Sequence, residues 1–149
     1  KELPAADNEF KVLPRMIKHY NNAEKLILLN NRLTQLPPEI GQLSKLQRLD
    51  LSHNQLTQLP SEIAQLSQLQ VLSLNHNRLA QLPPEISQLN LLHLVCLSDN
   101  PILEDLDTST AAYGYVKGSE PIRALFRQNT IIRFDSNLFI AGLIFGTRE

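Results

Sequence analysis

The apolar residues of this chain recur in a block of fixed length. Starting at Leu46 the order is Leu46, Leu49, Leu51, Asn54, Leu56, Leu59, Pro60, Ile63 and Leu66. From Leu69 the same phrase returns as Leu69, Leu72, Leu74, Asn77, Leu79, Leu82, Pro83, Ile86 and Leu89, every landmark moved by 23 residues. One step back, Leu26, Leu28, Asn31, Leu33, Leu36, Pro37, Ile40 and Leu43 fall on the same places. A fixed period of about 20–29 residues with this Leu and Asn pattern is the signature of a stacked solenoid.

The ends of the pattern are less regular. Leu3, Asn8, Phe10, Leu13, Pro14 and Ile17 still match, but Ala5 and Tyr20 stand where leucines are due. Residues 1–22 therefore read as a degenerate first repeat that shields the core, because a terminal repeat needs a wetter outer side. A plain amphipathic helix over 9–21 would do the same work. Forward, Leu92, Val95, Leu97, Asn100 and Ile102 keep the phrase, and Asp105 and Ser109 break it. The expected domains are thus a solenoid over 1–103 and a loop with a C-terminal cap over 104–149. In that cap, Ser119-Glu120-Pro121 predicts a helix start and a helix over about 119–128. Ile131, Ile132 and Phe134 predict a short strand, and 138–145 is the most apolar stretch of the chain. It either packs over the end of the sheet, forms a subunit contact, or begins something beyond residue 149.

Each Leu-x-x-Leu-x-Leu segment predicts one short strand, stacked in parallel about 4.8 Å from the next. Its leucines point inward. The asparagine column Asn31, Asn54, Asn77 and Asn100 sits where the chain leaves the strand, and an amide there supplies both donors and an acceptor to stranded backbone groups. Pro37, Pro60 and Pro83 fix φ at the start of a helical turn on the outer side. Glu39, Glu62 and Glu85 follow, and they are expected as a solvated column near the positive end of each turn. The columns Gln35, Gln58, Gln81 and Gln42, Gln65, Gln88 are expected as amide ladders on the surface.

These residues together resemble the leucine-rich repeat proteins, and within them the 23-residue Leu-Pro-x-x-Ile subclass of Ras-suppressor and scribble-type proteins, Roco-type GTPases and bacterial effectors. The resemblance covers 23–102 strongly, 1–22 weakly and 104–149 not at all. It implies an α/β fold: a curved horseshoe with a parallel concave sheet, short helical turns on the convex side, and a concave face that binds other proteins. It implies no catalytic residues.

If the strands face as argued, four positions of each repeat project to the concave side. They place Lys25, Ile27, Leu29 and Asn30 in one repeat, with Arg48, Asp50, Ser52 and His53 in the next. Val71, Ser73, Asn75 and His76 follow, then Leu94, Cys96, Ser98 and Asp99; Glu2, Pro4, Ala6 and Asp7 are the first-repeat counterparts. Apolar anchors (Ile27 and Leu29, Val71 and Leu94) beside charged groups are how protein hot spots are built. Strand propensity alone would also place apolar residues there. Five such strands make a face of about 300 Å², against about 800 Å² per partner in a stable complex. Flanking loops and 104–149 must then take part, or the binding is weak, or the native protein is larger.

Composition narrows the function further. Fourteen Lys and Arg against fifteen Asp and Glu give a net charge of −1, which argues against nucleic acid and anionic membrane as the main partner. Aromatic residues are 5% of the chain and Trp is absent, so the core must be aliphatic. Cys96 is the single cysteine, which cannot staple the ends of a secreted repeat protein and points to a cytoplasmic location, or a host cytosol for an effector. A start at Lys1 with no leader points to a processed chain or a piece of a longer one. His53 and His76 share a column, but two imidazoles without a third ligand make a poor zinc site; their proton chemistry near pH 6.5 offers pH-sensitive binding instead. As a lone strand cysteine, Cys96 reads as a small core residue before it reads as a nucleophile. Gly114 to Ser119 has glycines too close together for a phosphate loop. No catalytic residue, metal or cofactor is expected.

The reading that follows is a protein-interaction module, with a bacterial effector as one form of it. A regulatory segment of a larger enzyme, such as a Roco-type GTPase or a ligase, is the rival. A module that self-associates weakly through 136–149 is a third.

Overall fold

In a computed structural model, which describes residues 1–103, 131–133 and 139–140, the 23-residue period becomes a stack of strands. The strands are β1 (Glu2–Pro4), β2 (Lys25–Ile27), β3 (Arg48–Asp50), β4 (Val71–Ser73) and β5 (Leu94–Cys96), each three residues long. They pair in parallel and in sequence order, Glu2 beside Lys25, Lys25 beside Arg48, Arg48 beside Val71, and Val71 beside Leu94. Every pairing keeps the period, so equivalent residues form columns. Between strands the chain makes one 3-10 turn: η1 (Arg15–Tyr20), η2 (Pro38–Gln42), η3 (Ser61–Gln65) and η4 (Pro84–Gln88), with a last one, η5 (Pro101–Leu103), after β5. This is an α/β leucine-rich repeat solenoid. Residues 9–21 hold a 3-10 turn at Arg15–Tyr20, not one long amphipathic helix.

The core lies between the sheet and the turns. Its columns are the leucines flanking each strand, those after each asparagine, the leucine before each proline, and Ile17, Ile40, Ile63 and Ile86 in the turns, all buried. A leucine moved from water into such a core contributes about 1.5–3 kcal/mol. One small strand segment cannot bury these side chains by itself, so each coil is stable only against its neighbours.

The asparagine column performs the task that its position implies. Asn54 Nδ2 donates to the carbonyls of Leu51, Ser52 and Leu28, while its Oδ1 accepts from the Leu33 N–H at 3.0 Å. Asn31, Asn77 and Asn100 repeat this set one period away. Two of the partners belong to the preceding coil, so each amide ties one coil to the last. In the first repeat Asn8 is exposed and holds only the carbonyls of Ala5 and Ala6, both its own.

The sheet continues after β5. Strand β6 (Ile131–Arg133) lies parallel to β5, and β7 (Phe139–Ile140) pairs antiparallel with β6. Leu94 pairs with Ile131, a step of 37 residues where every earlier step is 23. The strand expected at 131–132 is present; the helix expected at 119–128 and most of the apolar stretch 138–145 lie outside the described residues. At the other edge, Lys1, Ala5 and Asp7 turn their backbone groups toward the β2 side. Alternation then aims the backbone of Glu2 and Pro4 away from the sheet. Pro4 has no N–H to offer there.

Two expectations about the turn side need correcting. Glu39, Glu62 and Glu85 are half-buried, not fully solvated, because the stacked turns close over their stems. Glu39 goes furthest: its Oε1 is 3.8 Å from Arg15 Nε, and its Oε2 is buried with no hydrogen-bond partner. The glutamine columns are exposed, and no hydrogen bond joins one glutamine to the next among the described residues. Exposed amides are satisfied by water, so a ladder gains little there.

Candidate functional site

The open face of the sheet is built by alternation: leucines at the strand centres point to the core and their neighbours point out. Lys25 and Arg48 are exposed, while Ile27, Leu29, Val71 and Leu94 are half-buried. Weak ion pairs run along this face, with Lys25 Nζ 3.9 Å from Glu2 and Arg48 3.9 Å from Asp50. Asp50 also accepts from the Ser52 N–H at 3.1 Å, and Asn75 Oδ1 accepts from the Ser98 N–H at 2.9 Å. Just outside the face, the Lys1 ammonium donates to Glu24 at 2.9 Å. That hydrogen bond, then the charge of the same ammonium, holds the Glu24 carboxyl below the usual carboxylate range; slight desolvation opposes this and Lys25 and Lys45 add to it.

Three of the residues expected on this face are not available on it. Ser52, Ser73 and Cys96 are all under 9% exposed. Strands about 4.8 Å apart let larger neighbours close over a small side chain, so position in the repeat sets direction but not access. The remaining expected residues, Asn75, Ser98, Asp99 and the two histidines among them, reach the surface at least in part.

Asp7, Asn30, His53, His76 and Asp99 form a row just past the strands, and all five have positive φ between 53° and 56°. Asp, Asn and His are the non-glycine residues most often found in this left-handed region. The backbone turn therefore accounts for the residue types in this column, a reading the sequence carries only as a preference for Asp, Asn and His. The side chains then join across coils. Asn30 Nδ2 donates to Asp7 at 2.8 Å, the His53 and His76 rings stack with centroids 4.1 Å apart, and His76 Nδ1 lies 3.2 Å from Asp99. Among the described residues no group of three His, Cys, Asp or Glu could hold a metal ion. No helix of the described residues is long and apolar enough to cross a membrane.

The first repeat holds a feature that sequence reasoning missed. Phe10 and Tyr20 occupy leucine positions, yet they are 44% and 50% exposed where Leu33 and Leu43 are fully buried. The expected wet outer side is thus partly apolar, because no coil covers these core positions. Aromatic residues at leucine places were the available signal.

Comparison with known proteins agrees with this geometry. Residues 21–79 match the family model described as leucine rich repeat. A leucine-rich repeat protein of Leptospira interrogans is 34% identical, with 67% of this chain and 31% of that chain covered and a TM-score of 0.53. A chain of the Toll–Spatzle complex of Drosophila is 33% identical, with 64% and 13% covered and a TM-score of 0.61. The chain spans less than a third of the length of either structure. No curated protein matches it. The fold is that of a leucine-rich repeat protein; such repeats are typically non-enzymatic and generally mediate protein–protein interaction.

Proposed function

We propose that the open face of the sheet is a protein-binding surface, with Ile27, Leu29, Val71 and Leu94 as apolar anchors and Lys25, Arg48, Asn75, His53 and His76 around them. The observation that carries this reading is the pairing of half-buried aliphatic side chains with exposed charged ones on a single regular face. Hot spots combine a desolvated centre with a polar rim in this way. The backbone beneath is fully laddered, so a partner meets a preorganised surface and binding loses little ordering entropy.

Several narrower statements belong to the same proposal. The repeats are of the 23-residue Leu-Pro-x-x-Ile subclass, on the strength of the register. The protein works in a reducing compartment, which the single cysteine supports, and no catalytic role is part of the reading. The similarity to a Leptospira protein supports an effector of bacterial origin as one form of it.

The test compares the wild-type chain with an Ile27→Asp, Arg48→Glu, Val71→Asp triple variant in affinity capture, followed by titration of the purified partner. Affinity is expected to fall at least about a hundredfold, the scale of losing an anchor and a charge together, with the melting transition close to that of the wild type. Equal affinity for the two chains rejects the face. Because Ile27 and Val71 are half-buried, an Arg48→Glu single variant serves as the control that leaves the core untouched; it should lose about tenfold.

A further inference from the structure

We infer that the turn side of the first two repeats carries a second protein-binding site, one that takes an acidic partner segment bearing a bulky apolar side chain. Of the five exposed large hydrophobic residues among those described, Phe10, Val12, Met16 and Tyr20 all lie in the first repeat. Residues 10–23 also hold Lys11, Arg15 and Lys18 with no Asp or Glu, in a chain whose net charge is −1. All three cations are exposed. An apolar patch ringed by one sign of charge on an otherwise balanced molecule marks an interaction surface.

The surface there has shape as well as charge. A hollow of about 450 Å³ opens between the two repeats, lined by Val12, Leu13, Arg15, Leu36, Pro37 and Pro38, among others. Leu13 and Leu36 are buried and make its floor, while Val12 stands 60% exposed at its rim. The volume falls within the range of about 300–1,000 Å³ typical of binding pockets. Arg15 is 84% exposed, and its only charged neighbour among the described residues is Glu39, with Nε 3.8 Å from Oε1. Its terminal nitrogens carry no hydrogen bond among the described residues, so the guanidinium fork is open to a carboxylate, for which its planar geometry is suited. With Glu39 counted against the three cations, the site keeps a positive excess.

This combination favours a protein segment over a lipid surface. A bilayer is flat and cannot fill a hollow, and three cations are fewer than the four to eight of basic clusters that read anionic lipids. The site lies on the opposite side of the coils from the open sheet face, so it stands or falls separately from the proposal above.

The experiment titrates the full chain with a short fluorescein-labelled peptide of alternating Asp and Leu with one Phe, read by anisotropy. A Lys-for-Asp peptide and phosphatidylserine vesicles are run in parallel. The acidic peptide is expected to bind, with affinity falling about tenfold or more in an Arg15→Gln, Lys18→Gln variant. A Val12→Asp variant should lose binding as well, and Arg48→Glu on the sheet face should not change it. Thermal melts of each variant, expected to match the wild type at these exposed positions, exclude misfolding as the cause. Equal binding of the Lys peptide, wild-type affinity in the Arg15 and Val12 variants, or association with vesicles but not the acidic peptide would each overturn the inference. So would loss of peptide binding in Arg48→Glu alone, which would put the peptide on the sheet.

Discussion

A single amide per coil holds together what the strands leave open. Asn54 is surrounded by three carbonyls and one N–H, and both partners that are not its own come from the coil before. Replacing it by alanine strands the Leu33 N–H in an interior without water. Asn54→Ala is expected to cost about 2–3 kcal/mol, read as a lower urea midpoint at an unchanged slope. Asn8→Ala, which removes bonds only at an exposed position, should cost far less. The adjacent left-handed column makes a companion case. At His53, with φ of 54°, valine should destabilise the chain by about 1–2 kcal/mol through its Cβ alone, and asparagine should be nearly neutral. If His53→Asn unfolded the chain, the backbone would not be what selects this residue.

At the scale of elements, the strands repeat more faithfully than the turns. The turns differ in how closely they stack, and Gly41 shows where. A Cβ built there would meet the Glu62 carbonyl oxygen at 2.5 Å and Gln65 Oε1 at 2.7 Å. The same place in the next coils is held by Ala64 and Ser87, so the tight contact belongs to the pair η2 and η3. Gly41→Ala is expected to cost about 1–3 kcal/mol by overpacking, measured by chemical denaturation; a neutral result would mean that η3 can slide outward. This closeness was not legible in the sequence, where Gly41 is simply one small residue in a loose position. The strands were legible, because a period of 23 with leucines at fixed places allows only one stacking direction and one register. The sites of Ser52, Ser73 and Cys96 were legible only in direction. Whether a small side chain is covered depends on its neighbours two coils wide, which no single repeat encodes.

Over the whole molecule, the regular part reached the page from the chain alone and the ends did not. Constant intervals encode the middle of a solenoid, where each coil sees the same environment. The first coil sees water on one side, so Phe10 and Tyr20, at core positions by spacing, become surface by circumstance. Beyond β5 the interval stretches from 23 to 37 residues, and a pattern search tuned to the shorter step loses the strand although the sheet keeps it.

Pro4 sits at the outermost rung of that sheet, facing away from its only strand neighbour. A parallel sheet of identical rungs is an invitation to accrete another molecule's backbone, and an oily terminus would make the invitation stronger. A rung that lacks a hydrogen to give breaks the zip at its first tooth. The N-terminal end can therefore offer sticky side chains to a chosen partner without becoming a seed for fibres.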